Sequence, residues 1–340
     1  MNEPDVARSP IALIPTAEVR DASRGVRSGE LTRVFRGVYA LSDEWNALAP
    51  WDRYAARVHA AALRHPDSVF CLESASVLHG LPVFGDPGTV HVLRDDSSTS
   101  RVSGGVLVHT TSEHRSMDTA GGMLRTTVRD TVIDLARSRH NAVALAVGDA
   151  ALRQDTGIGT ASLVGENESR ASSRGRLRAR WVLDRVSPSA ESPLESVDRA
   201  VLEWLGFPRP ELQVWLGDEA SAGDRVDKWW PEMRIVGEGD GDLKYDGRFG
   251  AHNTVMRERH ARDARLFERG ARAVVHWGWA EAIAATPLRA MLRSAGLPLI
   301  GPEDSAQLFS LRRALRSSTQ PRDFTPATRL QRYAAVSSPG

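Results

Sequence analysis

The sequence predicts an α/β (α+β) protein that is built from more than one part. Short runs rich in Val, Ile, Tyr and Thr alternate with longer runs whose apolar residues recur at helical spacing. At 340 residues the chain is too long for one ordinary core and suits two or three domains. We therefore expect several sheets flanked by helices.

The composition is that of a globular protein, and it favours no class of partner. Forty-four Lys and Arg residues against forty-three Asp and Glu leave a net charge of +1, so any nucleic-acid surface must come from local clustering. The single cysteine, Cys71, excludes an intramolecular disulfide. The chain shows no signal-peptide layout and no apolar run of about 18 residues. We expect a cytoplasmic protein with no membrane span.

Residues 1–48 predict a winged-helix-like fragment. A short helix is expected at Thr16–Ser23, ended by Arg24-Gly25, and it is followed by a hairpin with the sequence LTRVFRGVYALS. The hairpin would carry Arg33 and Arg36 outward, where a wing contacts phosphates. An ordinary surface hairpin fits the same residues, and the sequence leaves both interpretations open.

Residues 49–160 predict an α/β domain. A helix from Trp51 to Arg64 precedes a strand and a second helix, for which Ser74 is the expected N-cap. Strands are predicted at 88–93 and 105–110, and two helices follow within 126–138 and 141–154. We interpret His79 as a hydrogen-bonded structural residue and Cys71 as a buried, inert thiol.

Three aspartates lie on the last two of these helices, and their spacing permits metal binding. Solvated carboxylates on amphipathic helices are far more common, and we favour that interpretation. The residues are Asp130, Asp134 and Asp149.

This N-terminal half resembles the AbiEi-type antitoxin family. The resemblance lies in three separated motifs within about residues 15–155, LTRVFRGVYA, CLESASVLHGLP and RTTVRDTVIDLAR, followed by GDAALRQ. It implies a winged-helix DNA-binding region joined to an α/β domain. It also implies autoregulation of a type IV toxin–antitoxin operon, with a cognate toxin system as partner.

Residues 161–189 form an Arg-rich linker or helix. If this segment is helical, its guanidinium groups surround the helix and suit a phosphate backbone, whereas a solvated linker explains them equally well. The candidate DNA contacts here are Arg174, Arg176, Arg178 and Arg180.

Residues 190–300 predict a second α/β unit that carries the acids of interest. Ser192 or Ser189 can cap a helix that places Glu195 at the border between core and solvent. The runs LQVWL, RVDKWW and RIVGEGD then read as strands. A turn centred between Glu232 and Met233 makes the last two a hairpin.

The hairpin register opposes two acids. In an antiparallel hairpin, the residue numbers of two residues that lie opposite each other add up to the same value along both strands. With the turn between Glu232 and Met233, Asp227 therefore faces Glu238, and Arg225 faces Asp240. Opposed carboxylates repel each other, and a divalent cation between them would turn that repulsion into a binding site. Glycines at 237, 239 and 241 would let a phosphate or its metal approach the backbone.

These residues are the minimum for metal-dependent hydrolysis of a phosphodiester. Carboxylates hold Mg²⁺, which activates water and stabilises the leaving oxygen. A lysine such as Lys244 would orient that water or stabilise the developing charge.

This part resembles the PD-(D/E)XK nuclease superfamily, in its Vsr-like branch of DUF559-type domains. The matching words are SPLES, VDKWWPE, IVGEGDGDLKY and RERHARDARLFERGARAVVHWGWAE, within about residues 190–285. The resemblance implies a central mixed sheet flanked by helices and a terminal edge strand. It implies a catalytic set of Glu195, Asp227, Glu238, Asp240 and Lys244, in which Asp227, Glu238 and Asp240 bind Mg²⁺. Asp240 stands where the superfamily has its lysine, so Lys244 would be a migrated lysine.

Arginines on the helix after these strands are further candidates for phosphate contact, namely Arg257, Arg259 and Arg262. Residues 301–340 read as a partly disordered tail. The sequence as a whole predicts a DNA-acting protein with a Mg²⁺-dependent endonuclease-like domain. The alternative is a non-enzymatic AbiEi-family repressor with a degenerate nuclease fold.

Overall fold

The computed structural model describes residues 7–94, 100–111, 113–217, 223–240 and 249–315. These residues form helices and three sheets, which confirms the predicted mixed α/β class. No helix within those ranges is long and apolar enough to cross a membrane.

The N-terminal part is a small sheet with strand order β1-β3-β2, on which helices pack. Its elements are β1 (Ile14–Pro15), α1 (Ala22–Ser28), β2 (Leu31–Phe35), β3 (Val38–Leu41), α2 (Ser42–Ala47) and α3 (Pro50–Arg64). The predicted hairpin is confirmed as the antiparallel pair β2 and β3.

The helix predicted at Thr16–Ser23 is wrong in position. Thr16–Glu18 forms one 3₁₀ turn, and the Asp21 side chain caps α1 by accepting a hydrogen bond from the Arg24 amide. The helix then continues through Gly25 and ends at Gly29, whose φ of 79° lies in the left-handed region. Because Asp21 caps its start and Gly29 ends it, the helix lies several residues later in the chain than predicted.

The central part is a six-stranded sheet with order β6-β7-β5-β4-β9-β8. Its elements are β4 (Val69–Phe70), α4 (Leu72–Leu78), β5 (Val90–Arg94), β6 (Arg101–Ser103), β7 (Val106–Thr110), β8 (Met117–Ala120) and β9 (Met123–Thr126). The strands predicted at 88–93 and 105–110 are β5 and β7, which pair in parallel, and the strand predicted before the second helix is β4. The hairpin β8–β9 was not predicted, because the polar residues Asp118 and Thr119 interrupt the alternation of apolar residues that indicates a strand.

Ser74 is not a helix cap. The helix α4 begins at Leu72, and Ser74 lies inside it, where its hydroxyl accepts the His91 amide and contacts the Tyr54 hydroxyl at 2.8 Å. Because these buried partners occupy the Ser74 hydroxyl oxygen, it does not accept a hydrogen bond from a backbone amide of α4, as a helix cap would.

The structural interpretations of His79 and Cys71 are confirmed. The His79 ring nitrogen Nε2 lies 2.8 Å from the Thr126 carbonyl oxygen, and burial lowers the pKa of His79 to about 4. Cys71 is buried, and burial raises the pKa of its thiol, so the reactive thiolate is disfavoured.

Four helices follow, and they share one hydrophobic core. They are α5 (Val128–Ser138), α6 (Asn141–Gln154), α7 (Thr160–Ser169) and α8 (Arg176–Leu183). The Arg-rich segment is therefore helical over most of its length. Ala179, Val182 and Leu183 of α8 are buried against α5 and α6.

The C-terminal part is a four-stranded sheet with order β10-β11-β12-β13. Its elements are α9 (Pro193–Trp204), β10 (Glu211–Leu216), β11 (Asp224–Trp230), β12 (Ile235–Gly239), α10 (Phe249–Glu268) and β13 (Ala273–Trp277). The first three strands are antiparallel, and β13 is the predicted edge strand, parallel to β12. Helix α9 packs against α6, so this sheet is joined to the preceding helices.

Three helices complete the described chain. They are α11 (Trp279–Ala284), α12 (Thr286–Ser294) and α13 (Ser305–Ala314). Within the predicted tail, Leu308 and Leu311 of α13 are buried in the core shared with α9. Residues 316–340 lie outside the described residues.

Candidate functional site

Three carboxylates from three different elements lie close together at one end of the C-terminal sheet. Glu195 comes from α9, Asp227 from β11, and Glu238 from β12. We call these three residues the acid cluster. The sequence predicted each of them as a site residue.

Helix capping holds Glu195 in place. Ser192 is the N-cap of α9 and accepts a hydrogen bond from the Glu195 amide, as one of the two predicted caps requires. The Glu195 carboxylate returns to the cap, where it accepts from the Ser192 hydroxyl at 2.8 Å and from the Glu191 amide at 2.9 Å. This pattern is similar to a capping box, except that the Glu195 carboxylate accepts from the Glu191 amide and the Ser192 hydroxyl and not from the Ser192 amide. It fixes the side chain at the helix N-terminus, beside the sheet.

The predicted hairpin register is confirmed. Lys228 pairs with Gly237, Trp229 with Val236, and Trp230 with Ile235. Continuing that register by one residue places Asp227 opposite Glu238. The Asp227 carboxylate accepts a hydrogen bond from the Gly239 amide at 3.0 Å, which ties the two strands together at this point.

One amide bridges two members of the acid cluster. Gln213 Nε2 donates to Glu195 Oε2 at 3.1 Å and to Asp227 Oδ1 at 3.3 Å. Gln213 has a φ of 53°, a left-handed conformation that costs energy for a residue with a side chain. Its strand neighbours Leu212 and Val214 pair normally with β11. The backbone is therefore strained at the residue that brings the two carboxylates together.

Glu238 is the most buried strand acid of the cluster. It is 3% exposed, and burial followed by repulsion from Asp227 raises its pKa to about 7. Arg262 of α10 donates to its Oε1 at 3.0 Å and also donates to the Arg225 carbonyl. One shared guanidinium offsets only part of the repulsion.

Asp240 has a different set of partners. Like Glu238 it contacts α10, as expected for residues two apart on a strand: its Oδ2 accepts a hydrogen bond from Arg259. The same oxygen lies 2.9 Å from His276 Nδ1, and the other ring nitrogen of His276 lies 3.0 Å from Asp263 Oδ1. Burial lowers the pKa of His276, but the carboxylates of Asp240 and Asp263 outweigh burial and raise it.

Arg225 does not use Asp240 as its partner. Although the register set Arg225 opposite Asp240, Arg225 donates to Glu191 at 2.7 Å, and the Asp240 amide donates to the Trp277 carbonyl of β13. Asp240 thus bonds to β13 and not to β11.

The glycines of β12 do not leave open backbone as predicted. A Cβ on Gly237 would lie 2.6 Å from a ring atom of Trp277 and 3.0 Å from one of Trp230, so two tryptophans cover that position. A Cβ on Gly239 would lie 3.2 Å from Asp198 Oδ2 and 3.7 Å from Lys228 Nζ. Gly241 lies outside the described residues.

The sequence reasoning missed Lys228 and Asp198. Both are fully buried, and Lys228 Nζ lies 2.9 Å from Asp198 Oδ2. Burial opposes the charge on Lys228, but the carboxylates of Asp198, Glu195 and Asp227 outweigh it and raise the pKa of the ammonium. The signal was present in the sequence. Lys228 alternates with the apolar residues Val226 and Trp230, and Asp198 lies one helical turn after Glu195.

The donor set suits a hard cation, but the side chains do not converge on one. Carboxylate oxygens are the ligands that Mg²⁺ prefers. Among the described residues, no group of three or more His, Cys, Asp or Glu side chains is arranged to hold a metal ion. Arg262 and Gln213 hold the carboxylates instead. Lys244, the predicted catalytic lysine, lies outside the described residues.

The predicted DNA contacts fall into two groups. Arg33, Arg36, Arg174, Arg178 and Arg257 are exposed. The remaining four make the following contacts within the protein: Arg176 donates to the Ser172 carbonyl, the exposed Arg180 pairs with Glu168 at 2.7 Å, Arg259 pairs with Asp240, and Arg262 pairs with Glu238.

The aspartates of α5 and α6 are not solvated as we expected. Asp149 is fully buried and pairs with Arg199 at 2.8 Å. Asp130 and Asp134 both pair with Arg170, and Arg115 also contacts them. Arginines from other elements, which single-helix periodicity does not reveal, turn these residues inward.

Two similar proteins are known from Mycobacterium tuberculosis: Uncharacterized protein MT2308, from strain CDC 1551 / Oshkosh, and Uncharacterized protein Rv2248, from strain ATCC 25618 / H37Rv. Each is 34% identical to this chain over 218 residues, which cover 63% of this chain and 74% of the relative. No protein-family model matches the chain, and no solved structure matches it.

Proposed function

This chain belongs to the family of these two mycobacterial proteins, and we propose that it acts on DNA through a Mg²⁺-dependent, endonuclease-like site within residues 190–300. The observation that carries the proposal is the acid cluster. Three carboxylates come from α9, β11 and β12; the Gln213 amide bridges Glu195 and Asp227, Arg262 contacts Glu238, and the buried ammonium of Lys228 lies near Glu195 and Asp227. Like charges in such an arrangement favour a divalent cation.

Asp227 and Glu238 are the residues that would hold Mg²⁺. The third predicted ligand, Asp240, is engaged by Arg259 and His276, whereas Glu195 already shares the Gln213 amide with Asp227. Glu195 accepts its hydrogen bonds from neutral donors, whereas Asp240 is paired with a guanidinium, so we propose Glu195 over Asp240 as the third ligand. A bound Mg²⁺ supplies an activated water and neutralises charge on the phosphodiester. The chain would contribute the carboxylates that orient it, and the exposed Arg257 of α10 is a candidate for contact with the phosphate.

The N-terminal part fits a DNA-binding role in the same proposal. Arg33 and Arg36 are exposed on the β2–β3 hairpin, where they can meet phosphates. With the AbiEi-like motifs, this surface supports a cytoplasmic protein that regulates or accompanies a toxin system at the level of its operon.

A specific observation favours a second candidate function, that of a non-enzymatic repressor. Arg262 already pairs with Glu238, and Arg259 pairs with Asp240, so two strand acids have cationic partners without metal. In that case the C-terminal sheet binds DNA but does not cleave it.

A nicking assay with supercoiled plasmid separates the two functions. We expect the wild-type protein to nick the plasmid with Mg²⁺ or Mn²⁺, and we expect Asp227→Asn to reduce the rate at least about 100-fold. The repressor function predicts no nicking with any divalent metal and salt-sensitive DNA binding that Asp227→Asn leaves unchanged. Glu211→Gln, which removes an exposed acid of β10, is the matched control.

A further inference from the structure

A groove of about 470 Å³ lies between helix α1 and the β2–β3 hairpin. This volume falls within the range of small-molecule sites, roughly 300–1,000 Å³. The lining includes two arginines and one aromatic ring, and it includes no acid. The residues are Ala22, Ser23, Val26 and Arg27 of α1, Arg33 of β2 and Tyr39 of β3.

The packing of α1 on the hairpin creates this groove. The helix approaches β2 at Gly25, where an added Cβ would lie 2.7 Å from Leu31 Cδ1, so the absence of a side chain permits the close contact. Further along the hairpin, Arg33 and Tyr39 are cross-strand partners, and their side chains therefore share one face. Val38, which precedes Tyr39, is fully buried on the opposite face. Arg33 and Tyr39 thus lie on the face of the hairpin that α1 only partly covers.

The polar groups of the groove lack partners within the protein. Among the described residues, the guanidinium groups of Arg27 and Arg33 and the hydroxyl of Tyr39 make no hydrogen bond or ion pair. Residues 16–41 contain five arginines and three acids, so this part of the chain has an excess of positive charge. The groove therefore offers two unpaired cations beside an aromatic ring.

A nucleotide combines the two chemical groups that such a groove would bind. Guanidinium groups bind phosphate through paired N–H donors. A base stacks on an aromatic side chain, whichever base it is. The side chain of Val26, which is 42% exposed, adds apolar contact for the base or the sugar. In a duplex both faces of a base are covered by its neighbours, so only an unpaired nucleotide could place its base on Tyr39.

We propose that the groove binds one unpaired nucleotide, with its phosphate between Arg27 and Arg33 and its base against Tyr39. This inference rests on the proposed role of the hairpin in DNA binding and does not depend on cleavage at the acid cluster. It goes beyond contact of the hairpin with phosphates, because a duplex would satisfy that contact without using Tyr39. The nucleotide belongs either to a single strand or to the free pool, and the experiment separates these sources.

The test measures fluorescence anisotropy with three labelled probes. They are a single-stranded oligodeoxyadenylate, a duplex that contains the same strand, and an abasic oligomer with the same number of phosphates. Free deoxyadenosine monophosphate is added as a competitor. The variants are Tyr39→Leu, Tyr39→Phe and Arg27→Met. Arg24→Met is the matched control, because Arg24 lies on α1 but does not line the groove. Urea midpoints show whether each variant is folded.

We expect the single strand to bind at least about tenfold more tightly than the abasic oligomer, because only the single strand has bases to stack on Tyr39. Tyr39→Leu should remove that difference, whereas Tyr39→Phe should keep the affinity within about twofold of wild type. Arg27→Met should weaken binding of both oligomers and reduce the slope of log affinity against log salt by about 0.7. Arg24→Met should leave the slope unchanged.

Displacement of the single strand by deoxyadenosine monophosphate would identify a free nucleotide as the ligand. Binding of the single strand without displacement would identify an unpaired nucleotide within a strand.

Two results would overturn the proposal: equal affinity for the single strand and the abasic oligomer, or wild-type affinity of Tyr39→Leu for the single strand. If the duplex still binds in either case, the proposed DNA-binding role stands and only the nucleotide site is wrong. If the wild-type protein binds none of the probes, the proposed DNA-binding role fails together with this inference.

Discussion

The aspartates of α5 and the acid cluster are both largely buried, yet they are neutralised in different ways. Asp130 and Asp134 share the guanidinium of Arg170, and Arg115 contacts both. The Ser116 amide also donates to Asp130 at 2.9 Å. Each carboxylate thus meets two guanidinium groups, as an arginine-paired acid requires.

The acid cluster has fewer direct ion pairs: Lys228 lies near Glu195 and Asp227 but pairs with Asp198, and Arg262 is the cation that contacts Glu238 among the described residues. Gln213 bridges Glu195 and Asp227 without carrying charge, and Arg262 divides its hydrogen bonds between Glu238 and a backbone carbonyl. The pKa of Glu238 rises to about 7 as a result of burial and the nearby Asp227. Burial raises the pKa of Asp130 as well, so the two groups differ in their direct ion pairs and not in the direction of the pKa shift. We infer from the ion pairs that the α5 aspartates stabilise the fold, whereas the acid cluster is suited to a further cation.

The largest expected effect concerns the paired aspartates. Arg170→Met removes a guanidinium that is only 8% exposed and leaves two buried carboxylates competing for Arg115. We expect the free energy of unfolding to fall by about 3–5 kcal/mol, measured by urea denaturation. Arg180→Met, which removes an exposed ion pair with Glu168, is the control and should leave the urea midpoint nearly unchanged. An equal loss in both variants would show that burial of the α5 pair has no special effect.

The next effect concerns the pH dependence of the acid cluster. The pKa of Glu238 is raised from 4.5 in the unfolded chain to about 7 in the folded protein, so the folded state holds the extra proton between these values. Its contribution to stability is therefore fully present below about pH 4.5 and is lost as pH rises through 7, by on the order of 3 kcal/mol.

Glu238→Gln should remove that part of the pH dependence, because glutamine does not titrate. Urea midpoints at a series of pH values between 4 and 8 measure it as the difference between wild type and variant. A difference that does not change over this range would contradict the claim that Glu238 is short of positive charge. Glu211→Gln is the exposed control.

The smallest effect concerns the exposed arginines, which belong to neither group. Arg33→Ala/Arg36→Ala should weaken DNA binding up to about tenfold and should reduce the slope of log affinity against log salt by about one per lost phosphate contact. A fluorescence-anisotropy titration at several salt concentrations measures both quantities. Arg312→Ala is a control on α13, a helix that we do not assign to DNA. An unchanged salt slope would remove the β2–β3 hairpin from the proposed DNA surface.

Much of the C-terminal fold could be predicted from local pattern. The period of two in β11 and β12, together with the Pro231–Met233 break, set the register that places Asp227 opposite Glu238. The Ser192 cap fixed the start of α9 and the position of Glu195. The predicted helix boundaries were wrong where a polar side chain caps the helix, as Asp21 caps α1. The β8–β9 hairpin was not predicted, because its strands lack alternating apolar residues.

The partners of the site residues could not be predicted in the same way. Arg262 and His276 reach the acids from α10 and β13, and Arg170 reaches the α5 aspartates across about 40 positions of sequence. Such ion pairs depend on how the helices and strands pack against one another, and the local periodicity of the sequence does not reveal that packing. Lys228 is different, because a lysine among inward-facing apolar residues is visible in the sequence and marks a buried charge.

A calorimetric titration with Mn²⁺ tests the central claim most directly, because it measures the cation that the acid cluster is proposed to take. We expect saturable binding to the wild-type protein and at least about tenfold weaker binding to Glu238→Gln. Asp134→Asn, in the arginine-paired group, should bind Mn²⁺ as the wild type does. No saturable binding by the wild-type protein, or equal binding by wild type and Glu238→Gln, would contradict the claim.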